Sequence, residues 1–290
     1  MIELTRYPVD RVSGSLACPS CHSAFEGAYE CGPCAITGHR QGRRLSFGGF
    51  TDAELRDDPL NRVKETVKRR FGRVYPLTIQ LVSPVLLRRF VRPFLASFDL
   101  DREVVADLGS GTNRYDPRLL CVDGGTYPNV DLVTDLRRMP IRDGSLDGVI
   151  SVAVLEHVPD PQAHVGEMWR VLKPGGRVLC FVPFMQPFHA SPYDYQRFTH
   201  AGMTTLFHRF EVLSVRVGAG PTSALLWVFQ EWLALVLSFG SRRLYRAILP
   251  LMWLLSPLKI LDVLLARHAD AVAVASGFVI EVRKPAQPDR

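Results

Sequence analysis

Val104–Arg114 reads VVADLGSGTNR. Three apolar or small residues lead into Asp107 and Leu108, and then Gly109, Ser110 and Gly111 turn the chain. An apolar run of this kind is how a buried parallel strand reads, and glycines directly after it mark a tight turn. Glycine is needed wherever backbone passes close to a ligand, because a Cβ would collide with it. An acid at the strand end followed by Gly-x-Gly can hold a ligand bearing an amine or ribose hydroxyls. Taken alone the turn is a weak signal, since glycine turns after strands are common.

The residues that follow sharpen it. Leu119–Val122 is a second apolar run and ends in Asp123, placed to accept from a ribose diol. Val130–Thr134 is a third, ending in Asp135, and Leu146–Val152 a fourth. Asp160 and Pro161 read as the cap and first position of a helix, with Val165, Met168, Trp169 and Leu172 on one face and Pro174, Gly175 and Gly176 as its stop. Arg177–Val182 is a fifth strand. Strands alternating with helical or loop crossovers predict an α/β fold: a Rossmann-like, doubly wound, mostly parallel sheet of about seven strands. Glu211–Val217 and Gly277–Val282 supply the closing strands.

The stretches VADLGSGTNR, TDLRRMPIRDGSLDGVI, VLEHVPDP and MWRVLKPGGRV together resemble the class I S-adenosylmethionine (SAM) dependent methyltransferases of the type 11-like kind. The resemblance implies that Asp107, Gly109, Ser110 and Gly111 surround the methionine part of SAM and that Asp123 binds its ribose. It implies that Asp135 and the Leu136 backbone face the adenine, and that Ser151 joins the cofactor site. Its last strand would run antiparallel. Two features depart from the pattern. Asn113 stands at the usual third glycine, a position Asn tolerates because it enters left-handed conformations readily. Only a short stretch separates Gly111 from Leu119, so the usual first helix is nearly absent. A dinucleotide would want that helix N-terminus for its pyrophosphate. SAM carries no phosphate, so the shortening argues against NAD and not against SAM.

Cys18, Cys21, Cys31 and Cys34 form C-x2-C-x9-C-x2-C. Two such knuckles can set four thiolates tetrahedrally around one structural Zn2+; a redox pair and unrelated cysteines are the other readings. The segment lacks the apolar residues for a core of its own, so a metal would order it. Four thiolates leave the ion no open position, which excludes catalysis there. Cys121 and Cys180 fall in predicted strands and read as core. The expected organisation is a zinc ribbon over 1–45, a linker with basic amphipathic helices over 46–100, and a SAM-binding domain over 101–290. Within 46–100, Arg62–Arg73 carries six basic residues, and Leu86–Leu95 adds Arg88, Arg89 and Arg92. Such a stretch reads as a solvated face over a packed one or, more sharply, as a phosphate- or membrane-facing surface.

Val182–Thr199, VPFMQPFHASPYDYQRFT, leaves from a strand's carboxyl end, where ligands of open α/β sheets bind. Methyl transfer needs alignment, and a base if the nucleophile is a hydroxyl. His189 is the candidate base, with Asp194 or Tyr195 orienting it or the acceptor and Arg197 placed to grip a phosphate or carboxylate; the bland reading is that these residues brace an irregular loop. Pro183, Phe184, Pro187, His189, Pro192, Asp194, Tyr195, Arg197, Phe198 and Thr199 also resemble a pattern in bacterial methyltransferases encoded with polysaccharide and glycolipid biosynthesis genes, which implies such a setting.

An apolar helical insertion is expected over 221–267, before the last strand. In Pro221–Gly240 the only charge is Glu231, while Leu244–Ala266 is broken by Pro250 and Pro257. A span needs about 20 apolar residues, and a mid-membrane carboxylate costs about 2.5–3.5 kcal/mol. Two or three amphipathic helices, lying on a membrane or forming an internal lid, fit better than spans. The net charge of +6 suits a phospholipid surface, a phosphorylated substrate or RNA. The N-terminus lacks the regions of a secretory signal, so a cytoplasmic place, peripheral on the inner membrane face, is expected. The leading reading is a methyltransferase acting on a small-molecule or lipid-linked acceptor: a sugar, a glycan or another amphipathic molecule. A zinc-ribbon RNA (rRNA base) methyltransferase and a non-catalytic SAM-binding scaffold are the rivals. Nucleic acid fits less well, because the apolar insertion is a poor surface for phosphates and no aromatic-interleaved basic run appears.

Overall fold

The computed structural model describes residues 8–48, 88–189 and 193–286. A one-turn helix, α1 (Pro8–Arg11), precedes the cysteine segment, which holds the short hairpin β1 (Glu30–Cys31) and β2 (Ile36–Thr37), followed by β3 (His39–Gln41) and β4 (Arg44–Ser46). The expected basic stretch Arg62–Arg73 lies outside the described residues. Helix α2 (Arg88–Leu95) leads to β5 (Val105–Leu108), β6 (Leu120–Asp123), β7 (Leu132–Val133) and β8 (Leu146–Val152). Then come α3 (Pro161–Val171), β9 (Leu172–Pro183), α4 (His200–Leu206) and β10 (Glu211–Ala219). The insertion follows as α5 (Pro221–Leu237), α6 (Arg242–Met252), a 3-10 stretch and α7 (Asp262–Leu265), and β11 (Gly277–Arg283) closes the chain.

The main sheet has nine strands in the order β10-β11-β9-β8-β5-β6-β7-β4-β3. β4 to β9 run parallel, and β11 lies antiparallel to both β9 and β10. The chain winds from β5 outward to β7, then returns to place β8 and β9 on the other side. The order therefore reverses between β5 and β8, and a ligand crevice is expected at their carboxyl ends.

Period-two alternation decides which side chain faces which layer. On one face Ala106, Leu108, Val178, Cys180, Phe278 and Ile280 pack against Val165, Met168 and Val171 of α3 and Met203 of α4. On the other, Val105, Ile150, Leu179, Phe181 and Val279 pack against Phe90, Val91, Phe94 and Leu95 of α2. The basic amphipathic stretch is thus a packing helix in its described part, with Arg89 donating to the Val217 carbonyl at 3.2 Å. α3 starts as expected: Asp160 accepts from the Ala163 N–H at 3.0 Å, and Pro161 takes the first turn.

Nine strands stand where about seven were expected, and the extra two come from the N-terminal segment. The expected boundary at residue 45 falls inside β4, whose Leu45 and Ser46 pair with Leu132 and Val133. Leu45, Val9, Val12 and Leu16 belong to the main core, and Phe25, Tyr29 and Phe47 pack against it. β3 and β4 therefore extend the sheet edge, while β1 and β2 pair only with each other, and the apolar residues of the whole segment share the core of the domain behind it.

Candidate active site

Both features at the carboxyl end of β5 follow from backbone geometry. Gly109 has φ +74°, and a Cβ there would lie 2.3 Å from Val154 Cγ2. Gly111 has φ +53° and donates its N–H to Asp123 Oδ2 at 2.8 Å, while the Gly125 N–H donates to Oδ1 at 2.7 Å. Asp123 thus ties the glycine turn to the tip of β6. Burial raises its pKa, opposed by those N–H groups.

Asp107 is almost fully buried, and its Oδ2 has no hydrogen-bond partner among the described residues. Burial, reinforced by Asp123 and opposed by Arg114, pushes its carboxyl up to about 7. The hydroxyls of Ser110 and of Ser151, at the end of β8, are likewise buried without a hydrogen-bond partner among the described residues. Native folds leave few such groups. An acid, two hydroxyls and a glycine turn at one switch point fit the amine and carboxylate of a methionyl group. Asp135, at the end of β7, is half-exposed and holds Arg137 at 2.8 Å. Burial raises its pKa, but the Arg137 bonds outweigh burial and lower it. An adenine amino group would share that carboxylate with the arginine. The Leu136 carbonyl accepts from Nδ1 of the buried His164 at 3.0 Å, leaving the Leu136 N–H as the group available to a base edge.

The short first crossover is held by a residue that sequence reasoning passed over. Arg114 reaches the buried Asp131 at 2.7 Å and also donates to the carbonyls of Leu119, at 3.1 Å, and Asn129. Asp131 accepts in addition from the Cys121 N–H at 3.0 Å. An ion pair thus pins the loop that a helix pins in the usual pattern.

At the end of β8, Ala153 takes φ +55° and turns the chain into a 3-10 turn, Leu155–His157. Glu156 is fully buried and neither carboxylate oxygen has a hydrogen-bond partner among the described residues. Its Oε1 lies 3.8 Å from His157 Nε2 and 3.7 Å from His189 Nε2. Burial lowers the His189 pKa, but Glu156 and the Pro187 carbonyl outweigh burial and raise it. The ring of Trp227, from α5, stacks on His189 with centroids 5.8 Å apart. Glu156 and His157 were visible only as part of VLEHVPDP. The usable signal was an acid–histidine pair just past a strand's carboxyl end, the same position logic that marks Asp107 and Asp123.

The rest of the loop sorts into bracing and surface. Asp194 accepts from the His189 N–H at 2.8 Å and from both terminal nitrogens of Arg197, one at 2.6 Å. Arg197 also donates to the carbonyls of Pro187, Gln186 and Gln196. Every N–H of its fork is engaged, so Arg197 braces the loop and the expected grip on a phosphate or carboxylate does not fit. Asp194 orients His189 through its backbone. Tyr195 donates its N–H to the Glu156 carbonyl at 2.7 Å and leaves its ring half-exposed beside Tyr193. Pro192 lies outside the described residues.

In the N-terminal segment, beside the separate β1–β2 hairpin, the four thiols Cys18, Cys21, Cys31 and Cys34 lie within 4.8 Å of one another. His22 and Ala35, each directly after a C-x2-C pair, have φ +58° and +52°, which wraps both knuckles back on their sulfurs. The donor set and its closeness fit one tetrahedral zinc.

Residues 106–180 match the family profile described as Methyltransferase domain. A Mycolicibacterium smegmatis protein described as "Probable S-adenosylmethionine-dependent methyltransferase" is 31% identical over 118 residues, covering 37% of this chain and 46% of the relative. The ubiquinone/menaquinone biosynthesis C-methyltransferase of Acidiphilium cryptum is 27% identical over 150 residues, covering 43% of this chain and 60% of the relative. The chain thus matches about half the length of these curated relatives. The crystal structure of the Burkholderia thailandensis 1,6-didemethyltoxoflavin-N1-methyltransferase aligns with TM-score 0.44 and 14% identity, over 86% of this chain and 99% of that one. The strand order and the glycine turn with its unpartnered acid are consistent with this match of residues 106–180 to a methyltransferase domain.

Proposed function

We propose that this chain transfers a methyl group from SAM to an amphipathic acceptor, a sugar or lipid-linked glycan, at the inner face of a membrane. One observation carries the reading. Gly109 touches Val154, two residues before Glu156, so the glycine turn and the Glu156–His157–His189 cluster share one carboxyl edge of the sheet. Asp107, Ser110, Gly111 and Ser151 hold the methionyl end of SAM, Asp123 the ribose, and Asp135 with Leu136 the adenine. Bound there, SAM supplies an electrophilic methyl on a sulfonium. The chain's own groups do the rest. The glycine turn and Asp123 fix the donor's direction, Trp227 and the loop exclude water, and His189, backed by Glu156, takes the proton of an acceptor hydroxyl. Alignment carries most of the barrier reduction in such a displacement. The exposed rings of Phe188, Tyr193 and Tyr195 offer an apolar face to a sugar ring or lipid.

The four ribbon cysteines hold a structural zinc, and the exposed apolar face of the insertion meets lipid. The test is mass spectrometry of lipid and glycan extracts from cells with and without the protein, paired with calorimetry of SAM binding. An acceptor one methylene lighter in the deletion strain is the expected result. SAM binding without any lighter lipid or glycan moves the acceptor to another class, and steeply salt-dependent RNA binding would favour the RNA enzyme.

A further inference from the structure

The Glu156 cluster has an electrostatic feature that a proton-accepting histidine alone does not explain. His157 Nδ1 lies 2.5 Å from the Tyr193 carbonyl, and His189 Nδ1 lies 3.0 Å from the Pro187 carbonyl. A carbonyl oxygen only accepts, so His157 Nδ1 carries the hydrogen. His189 Nδ1 faces both the Pro187 carbonyl and, at 3.3 Å, Arg197 Nη2, but the two hydrogens of that nitrogen go to Pro187 at 3.0 Å and Asp194 at 2.6 Å. His189 Nδ1 therefore takes the same form, and each neutral ring presents a lone pair at Nε2. Both Nε2 atoms point at the same carboxylate oxygen, at 3.8 and 3.7 Å. Two lone pairs and an anionic oxygen therefore converge, with the carboxylate fully buried and its oxygens free of hydrogen bonds among the described residues. Burying a carboxylate without compensation is costly unless it is paired or coordinates a metal.

We propose that Glu156, His157 and His189 bind one divalent first-row transition cation, and that this cation coordinates the acceptor hydroxyl. Two imidazole nitrogens and one carboxylate oxygen are the protein ligands of many catalytic sites, which keep further positions open for water or substrate. The three ligand atoms lie within 4.8 Å of one another. A tetrahedral ion with bonds of about 2.0–2.1 Å sets its ligands about 3.4 Å apart, so the Glu156 pairs need to close by only a few tenths of an ångström. The two carbonyls act as outer partners that fix the tautomer and the ring planes, as such partners do at known metal–histidine sites. Asp194 holds the His189 backbone and Trp227 covers its ring, which keeps the third ligand in place.

The inference rests on the preceding reading for the position of the acceptor, and it changes one role: His189 becomes a ligand. The coordinated hydroxyl, made more acidic by the cation, gives its proton to solvent. Its oxygen lone pair forms the O–CH3 bond while the methyl carbon–sulfur bond breaks, and that electron pair returns to sulfur as S-adenosylhomocysteine leaves.

Mn2+ is the probe, because thiolates select zinc whereas Mn2+ takes carboxylate and water oxygens, so the Glu156 site and not the ribbon is the one it reports. Titration of the full-length protein, as purified with its zinc, followed by the electron paramagnetic resonance of free Mn2+, should show one ion bound per chain. Glu156→Gln and His189→Asn should each weaken it at least tenfold. SAM affinity, measured on the same samples by calorimetry, should change less than twofold and shows that each variant is folded. Methyl transfer should fall at least tenfold when the cation is stripped with a chelator that leaves the ribbon zinc in place, and Mn2+ should restore it. No Mn2+ uptake at millimolar concentration, or equal uptake by His189→Asn with SAM binding intact, overturns the proposal. So does transfer that is indifferent to the chelator, which leaves the methyltransferase reading standing. Failure of the wild-type protein to bind SAM would instead strike that reading and leave the Mn2+ result to be judged separately.

Discussion

Arg114 and Asp131 form a 2.7 Å ion pair beneath the glycine turn, with the Asp131 side chain wholly buried. The carboxylate also holds the Cys121 N–H, so one residue joins the crossover loop to β6. Removing one member of a buried pair costs about 3–5 kcal/mol, because the other charge is left uncompensated. Asp131→Ala should lower stability by that amount and weaken SAM binding by loosening the Gly111 loop. Urea unfolding and calorimetry check both, and an unchanged unfolding midpoint would mean that something else holds the loop.

Much of the central sheet was legible because buried parallel strands are written as apolar runs with an acid or glycine at the end. Leu146–Val152 is observed with the predicted bounds, and Asp160–Pro161 caps its helix as read. Arg114 was not legible, because one arginine in a polar loop carries no period and its partner is distant in sequence. β3 and β4 were missed because strands of three residues rich in polar side chains, here His39–Gln41 and Arg44–Ser46, are too short for an alternation to be detected. Asp262 escaped for a similar reason. It accepts from the N–H groups of Thr222, at 2.8 Å, and Ser223, at 2.9 Å. It therefore caps α5, whose own N-cap is Gly220, from far down the chain.

Asp107 gives the protein a pH signature. Its carboxyl is raised to about 7 from an ordinary 3.8. Between those values the unfolded chain has released a proton that the folded chain keeps, so stability falls as pH rises through the window. The contribution is fully present below about pH 4 and lost above about pH 7, a change of about 4 kcal/mol in the SAM-free protein. A ligand amine beside Asp107 favours the anion, so SAM affinity should rise with pH up to about 7, by at most about tenfold per unit. Asp107→Asn should flatten both profiles. A wild-type affinity that is flat from pH 5.5 to 8 would remove Asp107 from the cofactor site.

The ribbon's continuity with the sheet alters what metal loss should do. Cys31→Ser should release the zinc, seen by elemental analysis. Because Leu45 and Phe47 pack on the main core, it should also lower the melting temperature of the whole domain. An independent ribbon would unfold separately and leave the main transition in place. SAM binding should persist, since the residues proposed to hold SAM lie on β5 to β8 and the loops at their ends, away from the thiols.

The insertion provides the last prediction. α5 buries Leu226, Gln230 and Ala234 and turns Leu225, Trp232 and Leu235 outward; Phe239, 88% exposed, and Leu254, Ile260 and Leu264 add to the apolar surface. The one acid of α5, Glu231, accepts from the Tyr245 hydroxyl, and the insertion's other acid, Asp262, is buried in the α5 cap, so neither carboxylate is left alone against lipid. No single helix among the described residues is long and apolar enough to cross a membrane. A helix that is apolar on both faces, with one face on the protein, suits the membrane interface. Trp227, Trp232 and Trp253 are the tryptophans of the insertion, and lipid contact would set such rings at headgroup depth. Trp227 instead turns inward onto His189, and the Trp253 side chain lies outside the described residues. Trp232, 55% exposed, is therefore the reporter, since tryptophan favours headgroup depth. Anionic vesicles should shift its emission to the blue, Trp232→Phe should remove most of the shift, and Trp227→Phe should not. Exposed Arg242 and Arg243 add about 1 kcal/mol each at an anionic surface, so neutral vesicles should bind more weakly. Leu225→Glu with Leu235→Glu should abolish vesicle binding while SAM binding stays, because both side chains point away from the core. Emission that stays unshifted with anionic vesicles would make these helices an apolar lid over the site.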